Sequence, residues 1–242
     1  MLFLIKGGYR QMADTILKLN DLSFSFPDKP VFSHLNYDLT AGTFLSIVGE
    51  NGVGKTTLMR MVLQELKPSS GSVDFLPSRQ AVNVGYVPQF RNIDMEYPLS
   101  IEDFVSLNQA GFKLPWRSRE EKRRVRQILD ETGLAGVCKR PLGEASGGEK
   151  QKAYLAQALL DEPNLLILDE STASLDPIAK NELLTLVKQI NQDQNLTVIF
   201  ITHDIPLARQ YADSYLFLKP DHYESGLIAD LTDEKVGRMN NV

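Results

Sequence analysis

Gly49-Glu50-Asn51-Gly52-Val53-Gly54-Lys55-Thr56-Thr57 is the stretch on which the reading of this chain turns. Before it, Phe44-Leu45-Ser46-Ile47-Val48 is apolar enough for a buried β-strand; after it, Leu58-Met59-Arg60-Met61-Val62-Leu63 reads as a helix. A strand, a glycine loop and a helix are the context in which G-x-x-x-x-G-K-[ST] acts as a phosphate-binding loop. Glycines let backbone N–H groups turn inward and approach phosphates closely, and the helix N-terminus adds partial positive charge. Lys55 can reach the β- and γ-phosphates, and the Thr56 hydroxyl can ligate Mg²⁺. Gly49, Asn51, Gly52, Gly54, Lys55, Thr56 and Thr57 are therefore the candidate contacts to a nucleoside triphosphate. An ordinary glycine turn before a core helix would not require the Lys-Thr pair.

Working outward, 242 residues with 43% hydrophobic and 24% charged side chains fit an α/β chain with one large domain and an insertion. A net charge of -5 argues against a dedicated nucleic-acid binder. The single cysteine, Cys138, excludes an internal disulfide and a Cys-based zinc site, and fits a reducing compartment. No stretch approaches the roughly 20 apolar residues of a membrane-spanning helix. The start, Met1-Leu2-Phe3-Leu4-Ile5-Lys6, makes a poor signal peptide. Residues 1–13 are expected to be a disordered extension, with Met12 an alternative start.

The segments before the loop, 15–26 and 31–40, read as extended, joined by the turn Pro27-Asp28-Lys29-Pro30. Short strands are expected at 72–76 and 82–87, ending at Pro88-Gln89. From about 95 to 160 the pattern turns helical. Ser100 can cap a helix over 101–109 and Ser118 another over 119–132, with Pro115 and Trp116 in a linker between them. The run Glu120-Glu121-Lys122-Arg123-Arg124-Val125-Arg126 reads as a solvated helix face. A helix over 150–160 follows Ala145-Ser146-Gly147-Gly148-Glu149. Leu165-Leu166-Ile167-Leu168 and Thr197-Val198-Ile199-Phe200-Ile201-Thr202 have the continuous apolar form of central parallel strands. Helices over 177–191 and 206–211 and a last strand over 215–219 complete the alternation. The pattern predicts a mostly parallel sheet with helices on both faces and ligands at the strands' carboxyl ends.

That rule gathers the polar outliers. Thr56, Gln89, Asp169, Glu170 and His203 each follow an apolar strand or lie in the loop it feeds. Asp169 can hold Mg²⁺ opposite Thr56. Glu170, next along the chain, points elsewhere and can orient or deprotonate the attacking water. His203 can hydrogen-bond a γ-phosphate. His34 and His222 read as surface or structural.

In this order the motifs resemble ABC-transporter ATPase domains over about residues 14–220. The resemblance rests on the glycine loop (Walker A), Gln89 of the Q-loop and the signature Ser146-Gly147-Gly148-Glu149. It is completed by the Walker B acids Asp169-Glu170, the D-loop segment Ser174-Leu175-Asp176 and the switch histidine His203. The fold it implies is α/β: a phosphate-loop (RecA-like) ATPase core, an N-terminal antiparallel β segment and an inserted α-helical subdomain. The core would span 14–94 and 161–242, and the helical subdomain 95–160. It implies ATP hydrolysis with Mg²⁺ held by Thr56, Gln89 and Asp169. Glu170, His203, Gln89 and Lys55 would be the catalytic set, and Phe26 would stack on adenine. It further implies a head-to-tail homodimer, each ATP lying between one subunit's glycine loop and its partner's Ser146, Gly147 and Gly148, with Asp176 along the seam. The two glycine amides at a helix start are a second anion cradle, and one chain needs only one for one γ-phosphate. Ala145 replaces the usual Leu, Glu149 the usual Gln, and Ser171 the usual Pro, which softens the turn after Glu170.

The stretch from Tyr86 through Tyr97 to Ile101 resembles zinc/manganese importer ATPases, as does the short C-terminal part. The expectation is an ATPase subunit driving divalent-metal import through separate membrane permease subunits. It would sit on the cytoplasmic face of the membrane, served indirectly by an external binding protein, with no nucleic-acid partner. The alternatives are a motor for another cargo, a separate-subunit exporter, or a non-transport ABC ATPase.

Overall fold

The computed structural model describes residues 14–27, 29–89, 98–108, 118–172, 175–219 and 222–240. The extension 1–13, Asp28, residues 90–97, the linker with Pro115 and Trp116, and Ser174 lie outside the described residues.

Two sheets carry the fold. Strands β1 (Thr15–Phe26), β2 (Lys29–Thr40) and β4 (Ser70–Phe75) form an antiparallel sheet with β1 in the middle. The second sheet has the order β5 (Val84–Val87), β6 (Leu165–Asp169), β7 (Thr197–Thr202), β3 (Phe44–Val48), β8 (Ser214–Lys219), β9 (His222–Leu227). Its first five strands are parallel, and β9 pairs antiparallel with β8.

Every residue of β3, β6 and β7 is buried, as their unbroken apolar runs require. Alternate side chains leave opposite faces. Leu166, Leu168, Val198 and Phe200 enter the core shared with α4 (Gly147–Leu159) and α5 (Pro177–Gln194). Leu165, Ile167, Ile199 and Ile201 enter the core shared with α1 (Lys55–Val62) and the antiparallel sheet. Ile101, Phe104 and Val105 of α2 (Ile101–Val105), with Val125 and Ile128 of α3 (Arg119–Glu131), join the first of these cores.

Sequence and structure differ mainly at ends. Ser100 caps α2 as expected, its Oγ accepting from Asp103 N–H, but the α-helix stops at Val105 and continues as a 3₁₀ turn over Ser106–Asn108. Ser118 starts α3 with a reciprocal capping box to Glu121. α4 begins three residues earlier than expected, because Ser146 and Glu149 form a second such box. β8 is not the last strand. β9 follows with little apolar alternation, so pairing to β8 rather than pattern defines it, and α7 (Asp233–Asn240) follows that.

Phe200 is fully buried and meets Phe44 edge-to-face, ring centroids 6.3 Å apart. Phe200→Ala should destabilise the protein by about 3–5 kcal/mol, read as a lowered urea midpoint at unchanged slope.

Candidate nucleotide site

The order of the parallel sheet brings three strand ends side by side. β3 lies between β7 and β8, and β6 is on the other side of β7. Asp169, the last residue of β6, pairs in register with Ile201, and Val48, the last of β3, pairs with Thr202. The glycine loop, the two acids and His203 therefore leave the same edge of one sheet.

The loop begins where β3 ends. Gly54 has φ 112°, and a Cβ there would lie 2.3 Å from Val31 Cγ1, so only glycine fits. α1 starts at the next residue without a side-chain cap, leaving its first amides for a ligand. Phe26, Asn51, Gly52, Gly54, Lys55, Thr56, Thr57 and Glu170 line one cleft of about 440 Å³. Phe26 is half exposed there and packs edge-to-face on the buried Phe24, centroids 5.1 Å apart. It is thus a surface aromatic at the cleft and not a second core residue.

Lys55 is buried to 4% exposure. Its ammonium donates to Gly49 O at 2.8 Å and Glu50 O at 2.9 Å, and lies 3.7 Å from Glu170 Oε1. Burial lowers its pKa, and the Glu170 carboxylate acts in the opposite direction. The ammonium is folded back on the loop's own carbonyls, and Lys55 lines the same cleft as Gly52, Gly54 and Thr56.

Asp169 and Glu170 are adjacent yet face different partners. The Tyr86 hydroxyl donates to Asp169 Oδ2 at 3.0 Å. Gln89 Nε2 donates to Glu170 Oε2 at 3.4 Å. The divergence comes from the backbone: Glu170 has φ 44°, in the left-handed region that non-glycine residues seldom occupy. Its N–H still donates to Ile201 O at 3.1 Å, so the ladder holds the strained residue in place. Ser171, next, is fully buried. Burial raises the Asp169 pKa, and the Tyr86 hydrogen bond counters this. The buried Asp169 carboxylate at the end of β6, the Thr56 hydroxyl in the first turn of α1 and the Gln89 side-chain carbonyl are the oxygen donor types that suit Mg²⁺.

The sequence reading does not single out Tyr86. It occupies the edge strand β5 opposite Ile167, two residues short of Asp169 and on the same face. Only strand pairing reveals that relation; in sequence Tyr86 is one of several aromatic strand residues.

His203 follows Thr202 and is exposed at the same sheet edge, without lining the cleft. The next residue, Asp204, caps α6 (Ile205–Tyr211) by accepting from Leu207 N–H. Ser146, Gly147, Gly148 and Asp176 also lie outside the cleft. They form a second cluster. Ser146 caps α4, Asp176 caps α5 by accepting from Ile178 and Ala179 N–H, and a Cβ on Gly148 would stand 3.3 Å from Ala179 Cβ. The chain thus has two separately built helix starts, one in the cleft without a side-chain cap and one capped by Ser146 outside it.

Residues 32–173 match the ABC transporter family. The chain is 34% identical to the zinc import ATP-binding protein ZnuC of Pseudomonas fluorescens, over 86% of this chain and 75% of that one. It is 31% identical to a probable metal transport system ATP-binding protein of Thermotoga maritima, over 78% of this chain and 75% of that one. Among solved structures, cbiO1 of Clostridium perfringens, part of the transporter complex cbiONQ, superposes with a TM-score of 0.80 at 31% identity, covering 94% and 95% of the two chains. This chain belongs to the ABC transporter family, and within it to the ATP-binding, ATP-hydrolysing subunits.

Because burial holds the Asp169 pKa above its unfolded value, keeping it ionised costs folding stability above that range and costs nothing below the ordinary Asp value. Asp169→Asn should therefore raise the thermal midpoint of the nucleotide-free protein at pH 7.5. The gain should shrink as pH falls toward the ordinary Asp range, measured by differential scanning fluorimetry across pH.

Proposed function

We propose that this chain powers the import of a divalent metal, zinc or manganese, through a separate integral-membrane permease. The observation that carries the motor reading is the pair of separate helix starts on one chain, one in the cleft at Lys55 and one at Ser146, each of which would serve as a phosphate cradle. Two copies arranged head to tail would close each cleft with the partner's Ser146, Gly147 and Gly148, with Asp176 along the seam. The metal reading is supported by the zinc and metal transport names of the relatives above.

Within each cleft, Gly49, Asn51, Gly52, Gly54, Lys55 and Thr57 would hold the phosphates, and Phe26 the adenine. Thr56, Asp169 and Gln89 would hold Mg²⁺, whose chemistry is to neutralise phosphate charge. Glu170, held between Lys55 and Gln89, would orient and deprotonate the attacking water, with His203 on the γ-phosphate from the neighbouring strand end. Closing the dimer brings Lys55 ammonium, glycine amides and signature amides around one triphosphate; loss of the γ-phosphate removes the group that joins them. That cycle of closing and opening would switch the permease.

Among the described residues no helix is long and apolar enough to cross a membrane. In this reading the permease holds the subunit at the cytoplasmic face, and the subunit would meet the external binding protein only through it. No nucleic acid enters this scheme.

Glu170→Gln should keep ATP binding and slow hydrolysis by about 10²–10⁴-fold, measured as phosphate release beside fluorescent-nucleotide binding. Hydrolysis at the wild-type rate would remove Glu170 from the role of base. Tagged Glu170→Gln protein, isolated from its own membranes with ATP in detergent, should bring down a multi-span permease. Cells lacking the gene should need added zinc or manganese, and regain growth with the wild-type chain but not with Lys55→Ala. A cargo other than a metal, or a ribosomal partner, would overturn the transport role while leaving the ATPase chemistry in place.

A further inference from the structure

The start of α4 carries a charge problem. Ser146 is its N-cap, Gly147 and Gly148 supply the first two amides, and Glu149 is the third helical residue. Glu149 Oε2 accepts from Ser146 N–H at 2.7 Å, and Glu149 N–H donates to Ser146 Oγ at 3.2 Å. This box orders the turn, yet it fixes a full negative charge within one turn of the amides that the proposed function assigns to a triphosphate. Like charges so close disfavour one another.

The structure supplies a counter-charge. Arg140 NH1 lies 3.2 Å from both Glu149 oxygens. Arg140 arrives from outside the signature helix. Its backbone is tied at both ends, its N–H donating to Val137 O at 2.9 Å and its carbonyl accepting from Ile101 N–H at 3.0 Å. The guanidinium is thus delivered to the signature by the start of α2 and the 3₁₀ turn Ala135–Val137. The neighbouring Lys139 is engaged elsewhere, donating to Glu102 at 2.6 Å. The Arg140 and Glu149 side chains remain 43% and 26% exposed, and an ion pair so exposed adds little to fold stability. Its consequence falls on the local field instead.

We propose that Arg140 is a positioning residue for the second phosphate cradle: it neutralises Glu149 and holds it in the capping box, so that Ser146, Gly147 and Gly148 can receive an anion. Without the guanidinium, the Glu149 carboxylate stands uncompensated against the incoming γ-phosphate. The cost belongs to the pair, so it disappears if the carboxylate is removed as well. This rests on the reading of Ser146–Gly147–Gly148 as the cradle that closes a partner's cleft.

The test uses the full chain in a Glu170→Gln background, with ATP-dependent dimerisation followed by light scattering. Arg140→Ala should raise the ATP concentration at half-dimerisation by about ten-fold at low salt, and less at high salt. Adding Glu149→Gln should bring it back to within about two-fold of the parent, the signature of a coupled pair. Binding of a fluorescent ATP analogue to the monomer should not change, because the cleft at Lys55 is built elsewhere. A parent that stays monomeric at saturating ATP would overturn the sandwich reading and this inference with it. A parent that dimerises while Arg140→Ala has no effect, or has a defect that Glu149→Gln leaves unrepaired, would overturn the role of Arg140 alone. So would a defect that tracks a fall in thermal midpoint.

Discussion

The register among β3, β6 and β7 is the constraint on which the rest depends. Three fully buried strands leave no room for charged side chains along their length, since each face is committed to a core, and the mid-strand hydroxyl of Ser46 is satisfied by donating to Phe200 O at 3.3 Å. The ionisable groups appear only where the strands end. Parallel pairing then sets those ends at one edge, with Asp169 beside Ile201 and Val48 beside Thr202. A one-residue slip of β6 would turn Asp169 into the opposite core and Leu168 toward Lys55. The chemistry of the cleft is thus a by-product of packing order.

Within the cleft, opposed electrostatic demands are balanced locally. Burial lowers the Lys55 pKa and raises that of Asp169, so each group pays for leaving water. Each is then answered by a specific neighbour: loop carbonyls and Glu170 for the lysine, the Tyr86 hydroxyl for the aspartate. The left-handed backbone at Glu170 separates two adjacent carboxylates so that one faces Tyr86 and the other faces Lys55 and Gln89. Strain there is held by the hydrogen bond from Glu170 N–H to Ile201. The signature shows the same logic. A capping box orders the helix start at the cost of a carboxylate, and Arg140 offsets that charge from another element.

Local rules read best from the sequence where one residue's side chain meets its own backbone. Ser100 and Ser118 cap the helices that their positions announce, and Pro177 opens α5 as expected, with Asp176 as its cap. Strand ends read less well where pairing decides. β9 has a mixed polar pattern and exists through its ladder to β8. Side-chain pattern alone starts α4 at Lys150, because two glycines weigh against helix on propensity, while the Ser146–Glu149 box carries the helix back to Gly147.

The sequence by itself determined the phosphate loop, the apolar central strands and the polar residues that follow them. These are written in short windows, where spacing, glycine backbone freedom and continuous hydrophobicity act directly. Only the tertiary structure decided which strands are neighbours, and hence that Tyr86 meets Asp169 across 83 residues of chain and Arg140 meets Glu149 from a different turn. It also decided that the cleft at Lys55 and the helix start at Ser146 are separate surfaces. Contacts between distant segments depend on strand order and on how helices pack upon the sheet, and no window of sequence contains either.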